Sequence, residues 1–144
     1  MNPPNSTTPS GMSSPLDELS GALRRLHKAL LDSEAEHFGP INGPFELLNL
    51  AVHHERFAWL RNLSELMVEL DDARDSGEAA DKALLAAFRV SIENLIGPRT
   101  PGEPRFRERY AERLQQAPAV VMAHGDLRRV LDKLPNMVFA EPGK

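Results

Sequence analysis

His53-His54-Glu55 sets two imidazoles beside a carboxylate, the residue types that move protons near neutral pH or ligate a metal. Neighbours on an unbroken helix point about 100° apart, so these three converge on one ligand only where the helix breaks. Without a break they are packing groups with solvated polar tips. Asp71 and Asp72, followed by Asp75, form an acidic helix end. Carboxylates there oppose the helix dipole, so the cluster reads either as a solvated acidic turn or as a site for a cation or basic partner. A ligand-binding or catalytic bundle would gather His53, His54, Glu55, Asp71 and Asp72 around a pocket opened by the break. Arg105, Arg109 and Arg113 recur at four-residue spacing beside Phe106 and Tyr110, the composition of a groove for single-stranded nucleic acid. With Arg128 and Arg129 they define a nucleic-acid reading, which Glu103, Glu108 and Glu112 weaken by cutting the field a phosphate would feel.

Other chemistries fail on spacing. Glu34-Ala-Glu36-His37 has the Glu-x-x-His spacing that di-iron bundles use on two helices. No second copy exists, because Arg24, Leu50, Ala51 and Val121 stand three residues before the other histidines. The absence of cysteine removes disulfides, thiolate zinc sites and cysteine nucleophiles together. There is no glycine-rich phosphate loop, and Ser64 lacks the glycines of a nucleophile elbow. No catalytic residue, cofactor or metal is therefore assigned.

The elements that must position these groups are helices. Ser14-Pro15-Leu16-Asp17 matches a helix start, with a serine cap and proline at the first helical position. Leu16, Leu19, Leu23, Leu26 and Leu30 then form one apolar face, and Phe38-Gly39-Pro40 ends the helix. The segment from Phe45 to Leu70 is apolar around its whole circumference. One stripe runs Phe45, Leu48, Val52, Trp59, Leu63, Leu66, Leu70, and another runs Leu47, Leu50, His54, Phe57, Leu60, Met67. Two stripes predict burial inside the bundle, with Trp59 as a core anchor. A single helix over residues 44–75 would be about 48 Å long, against a diameter under about 40 Å for a compact chain of this size. A break is therefore expected between Val52 and Arg56. A fourth helix is expected from Glu78 to Ile96 with a Glu78–Lys82 surface pair, a fifth carries Phe106, Tyr110 and Leu114, and a sixth runs from Pro118 to Leu134. The chain thus reads as an all-α, single-domain bundle of five or six helices around a buried central helix. Residues 14–135 form the domain, between a disordered tail at 1–13 and a C-terminal tail at 136–144.

Charge is uneven. Residues 14–97 carry 8 Lys and Arg against 15 Asp and Glu, whereas residues 98–133 carry 8 against 5. Such halves attract each other, or an external partner. The N-terminal residues lack the basic start and apolar run of a signal peptide, and no apolar run reaches the roughly 18 residues of a membrane span. A cytoplasmic location is the expectation.

The run FAWLRNLSELMVELDD, an upstream ELL and the later VVMAHGDLRRVLDKLP resemble a group of small all-helical bacterial proteins with no known activity. The resemblance covers roughly residues 15–135 and implies a bacterial one-domain protein without implying site residues. In that group an Asp-Pro pair stands near the position of His54-Glu55, which points to a helix break. The functional expectation is a small interaction or accessory protein that self-associates or binds a protein partner. A metal- or small-molecule-binding bundle with catalysis near His53 and His54 is the alternative, and nucleic-acid binding the third.

Overall fold

The computed structural model describes residues 14–76, 82–97 and 104–135. They form an all-α bundle: α1 (Pro15–Phe38), α2 (Pro44–His53), a 3₁₀ segment (Glu55–Leu60), α3 (Arg61–Asp75), α4 (Lys82–Ile96), α5 (Pro104–Gln116) and α6 (Pro118–Asp132). The expected tails, the Glu78–Lys82 pair and most of the loop before α5 lie outside the described residues.

The start of α1 follows its sequence signal, since the Ser14 hydroxyl accepts from the Asp17 amide at 3.1 Å. Gly39 ends the helix at φ 116° and Gly43 precedes α2 at φ 94°, positive values that a Cβ disfavours. The central helix is α1. Leu19, Leu23, Leu26 and Leu30 are fully buried, and α6, α3 and the 3₁₀ segment all pack along it.

The expectation of burial throughout residues 45–70 holds for only part of that run. Phe57, Trp59, Leu60, Leu63, Leu66 and Leu70 are buried. By contrast α2 has no buried residue, and Phe45, Leu48 and Val52 are 88%, 60% and 49% exposed. The break is the physical reason. His54 is extended (φ −84°, ψ 137°), so the two stripes no longer belong to one cylinder, and α2 packs chiefly on the 3₁₀ segment. The break needs neither glycine nor proline. The His54 amide caps α2 by donating to the Leu50 carbonyl at 2.8 Å, while its Nδ1 accepts from the Arg56 amide at 3.0 Å. The imidazole thereby does the work of an Asp or Asn cap.

Among the described residues three of the four buried polar side chains, Ser20, Ser33 and Glu34, lie on α1. Glu34 is 0% exposed and accepts from Arg56 Nε at 3.0 Å and Trp59 Nε1 at 3.1 Å. Trp59 meets Phe106 edge-on at 5.1 Å, and Phe106 stacks on Tyr110 at 5.7 Å. The Tyr110 hydroxyl lies 2.6 Å from His124 Nδ1, and burial raises the Tyr110 pKa. The charge halves meet within the molecule: Lys133 reaches Glu18 at 3.0 Å, and Arg128 grips Glu93 at 2.8 and 3.1 Å.

Replacing Glu34 strands the Trp59 N–H and leaves a void among fully packed side chains. Glu34→Ala should cost about 3 kcal/mol of stability, measured by urea denaturation. Lys28→Ala, which removes an exposed i,i+4 pair with Asp32, should cost under about 0.5 kcal/mol.

Candidate functional site

The residues singled out by sequence fall into several separate places. His53 is exposed, with Nδ1 3.1 Å from Asn49 Oδ1. His54 and Glu55 are also exposed, and they line a polar pocket of about 470 Å³ together with Arg56, Trp59, Arg105, Glu108 and Arg109. The break thus joins members of two candidate sets that lie far apart in sequence. Its charges nevertheless cancel. Arg56 is held by Glu34, and the remaining Arg105 and Arg109 share the lining with two carboxylates, Glu55 and Glu108.

Arg113 does not share this surface. It was expected on one stripe with Arg105 and Arg109, but it is 4% exposed. Each four-residue step on a helix of 3.6 residues per turn advances about 40°, so two steps carry Arg113 round into the interface with α1. There one nitrogen donates to Ser33 Oγ at 3.1 Å and to His37 Nδ1 at 2.9 Å, and another donates to Gln116 Oε1 at 3.0 Å. A guanidinium can only donate. His37 Nδ1 is therefore the acceptor and cannot also donate to the Ser33 carbonyl 2.9 Å away. Arg128 and Arg129 are likewise engaged, by Glu93 and Asp126, so the five arginines form no common phosphate-binding face.

Asp71 sits ten residues along α3 from Arg61, about 15 Å, and not beside the histidines. Its carboxylate accepts from Arg24 at 3.4 Å, Arg74 at 3.2 Å and Ser20 at 3.5 Å. These partners offset the dipole opposition that made the acidic end conspicuous. Asp72 is exposed. Glu34 and His37, of the Glu-x-x-His spacing, are committed to Arg56, Trp59 and Arg113. Among the described residues no three His, Asp or Glu side chains are grouped to hold a metal.

The site with a binding geometry is one the sequence does not announce. Between α2 and the wall made by α1, the 3₁₀ segment and α3 lies a cleft of about 460 Å³. Leu31, Leu47, Leu48, Val52, Phe57 and Leu60 supply its apolar surface, and His27, Ser64 and Arg61 its polar groups. His27 Nε2 is 3.1 Å from Ser64 Oγ, and burial lowers the His27 pKa, so the ring is neutral at pH 7. The Ser64 hydroxyl lies 3.3 Å from the Leu60 carbonyl and donates to it, which leaves the His27 Nε2–H to donate to Ser64. A nucleophilic serine needs the opposite polarity, with its proton directed at the imidazole and a third group orienting that ring. No such group contacts His27 among the described residues, so the pair is a hydrogen-bonding element of the cleft wall. Arg61, exposed at the start of α3, donates to the Val52 carbonyl at 2.7 Å and ties the end of α2 to the body.

His27 and Ser64 are 37 residues apart, and nothing local connects them. The one available signal was the position of His27 and Leu31 beside the Leu26–Leu30 stripe of α1, where a helix face passes from core to border.

No family model, no curated protein and no solved structure matches the chain. Among the described residues no helix is long and apolar enough to cross a membrane.

Burial lowers the pKa of both His27 and His124 from the ordinary value of 6.5. Below pH 6.5 the unfolded chain binds protons that the folded chain refuses, so stability is constant above that pH and falls as pH drops through the folded values. Chemical denaturation from pH 8 to pH 5 should show this loss. A His27→Gln/His124→Gln double variant should flatten it.

Proposed function

We propose that the chain is a small accessory binding protein that holds the apolar part of a guest molecule in the cleft under α2 without converting it. The observation that carries this reading is a 460 Å³ cleft lined mainly by aliphatic and aromatic side chains and walled by a helix with no buried residue. Its volume lies within the roughly 300–1,000 Å³ of small-molecule sites. Burying an aliphatic side chain fully contributes about 1.5–3 kcal/mol, and Leu48 and Val52, 60% and 49% exposed, leave about half of that unrealised while they line an open cleft. A guest supplies the missing contacts. The cytoplasm of a bacterial cell is the setting we propose, in keeping with the cysteine-free sequence.

Phe45, 88% exposed and outside the cleft lining, favours a second reading. On the outer side of α2 it would meet a second copy of this chain. Sedimentation velocity across a hundredfold concentration range should then show a dimer that Phe45→Ser abolishes. A monomer throughout would remove this second reading and leave the first intact.

Titration with the apolar fluorophore 1-N-phenylnaphthylamine should saturate at one site. Leu48→Asp places a charge on the wall at a residue already 60% exposed. It should weaken binding at least about tenfold while the unfolding free energy changes by about 0.5 kcal/mol or less. Linear, non-saturating fluorescence with the folded protein would sink the proposal.

A further inference from the structure

The two ends of the cleft differ in chemistry, and that difference selects a class of guest. Its interior is formed by Leu31, Leu47, Phe57 and Leu60, with Phe57 fully buried behind it. Among the described residues the only formal charge in the lining is Arg61, and no carboxylate accompanies it. Glu65, one turn along α3 from Arg61, is not part of the lining and borders a separate pocket, and Glu46 of α2, also outside the lining, accepts from the Asn42 amide at 2.5 Å.

Resting on the cleft reading above, we propose that the guest is an amphipathic monocarboxylic acid, its apolar chain in the cleft and its carboxylate at Arg61. A guanidinium offers five N–H donors in a fork that matches a carboxylate. Arg61 uses one nitrogen on the Val52 carbonyl, and its other donors remain for a head group. Arg61 is exposed, which puts the head at the solvent end, where a carboxylate keeps part of its hydration while the chain leaves water. One cation matches one negative charge. A phosphate dianion would carry a second charge with no counterpart in the lining, and an ammonium head would meet Arg61 unshielded. Ser64 lies one turn along α3 from Arg61, on the same wall, and the His27–Ser64 pair is uncharged, so it adds polarity without bringing a second charge to the head group. At about 30 Å³ for a water-sized group, the cleft takes roughly a dozen non-hydrogen atoms with room to spare, which suits a ten-carbon acid.

The test is isothermal titration calorimetry of the full chain with decanoate, decanol and decylamine, each below its aggregation threshold. Decanoate should bind about fivefold or more tighter than decanol, with decylamine the weakest. The advantage should shrink in 0.5 M salt, disappear in Arg61→Gln and persist in Arg61→Lys. Because Arg61→Gln also releases the tie to Val52, the wild-type comparison of acid with alcohol decides the matter. Equal or tighter binding of decanol overturns the acid proposal and leaves the binding cleft standing, as does an acid preference undiminished in Arg61→Gln. Absence of binding by all three, with the fold intact by circular dichroism, overturns the cleft reading itself.

Discussion

A carboxylate removed from water must find donors, and the pairing of Glu34 with Arg56 and Trp59 is the constraint that organises the rest of the molecule. An unpaired charge at a fully buried position would cost several kcal/mol. Within the folded chain the 3₁₀ segment therefore has one permitted placement against α1, with both donors facing Glu34. That placement fixes the direction in which α3 departs at Arg61. It also sets the indole of Trp59 against Phe106 of α5, from which Tyr110 and His124 carry the contact on to α6. Serine and arginine continue the polar seam one residue away, where Arg113 of α5 meets Ser33. Side chains on one turn of α1 thus locate most of the bundle.

The cleft is a by-product of the same constraint. A 3₁₀ segment rises about 2.0 Å per residue with three residues per turn, so inserting it between two α-helices changes the angular register of everything before it. The apolar faces of α2 and α3 would have formed continuous stripes on one helix. Rotated apart, they leave Leu47, Leu48 and Val52 opposite Phe57 and Leu60 with space between. Arg61 holds the far end of α2 through a single carbonyl, which keeps the space from opening further without filling it.

Much of this architecture was legible in the residues. Caps and punctuating prolines located helix ends such as Ser14-Pro15, and the leucine stripe of α1 identified its buried face because three-and-four spacing depends only on local geometry. The need for a break followed from length, since a straight helix over residues 44–75 would be longer than a compact chain of this size is wide, and its place near His54 followed from the drop in apolar density between Val52 and Arg56. The consequence of that break was not legible. Hydrophobicity around the circumference implies burial only where partners exist on every side, and the partners of α2 depend on how Glu34 orients the next segment. The candidate residues divided for similar reasons. His54 and Glu55 reached Arg105 and Arg109 through tertiary placement, whereas the slow angular drift of a four-residue repeat, which is local and could have been computed, took Arg113 inside. His27 and Ser64 carry no motif, and their pairing exists only because α1 and α3 pack side by side.

The rings of Phe38 and His54 meet edge to face at 4.9 Å, so the polypeptide leaves the body at the end of α1 and returns to it at nearly the same point. Residues 39–53 are in effect a closed excursion, with positive-φ glycines at both ends of the connection into α2. Among the described residues the buried core is supplied by chain outside that excursion, with Leu50 of α2 packed against it while only partly buried. The bundle therefore tolerates sequence drift, insertion or a relocated pair of chain ends within it at little cost to the body, because the closing contact preserves the short distance that any replacement must span. Such an arrangement lets the wall of the cleft diversify while the carboxylate-anchored framework stays fixed.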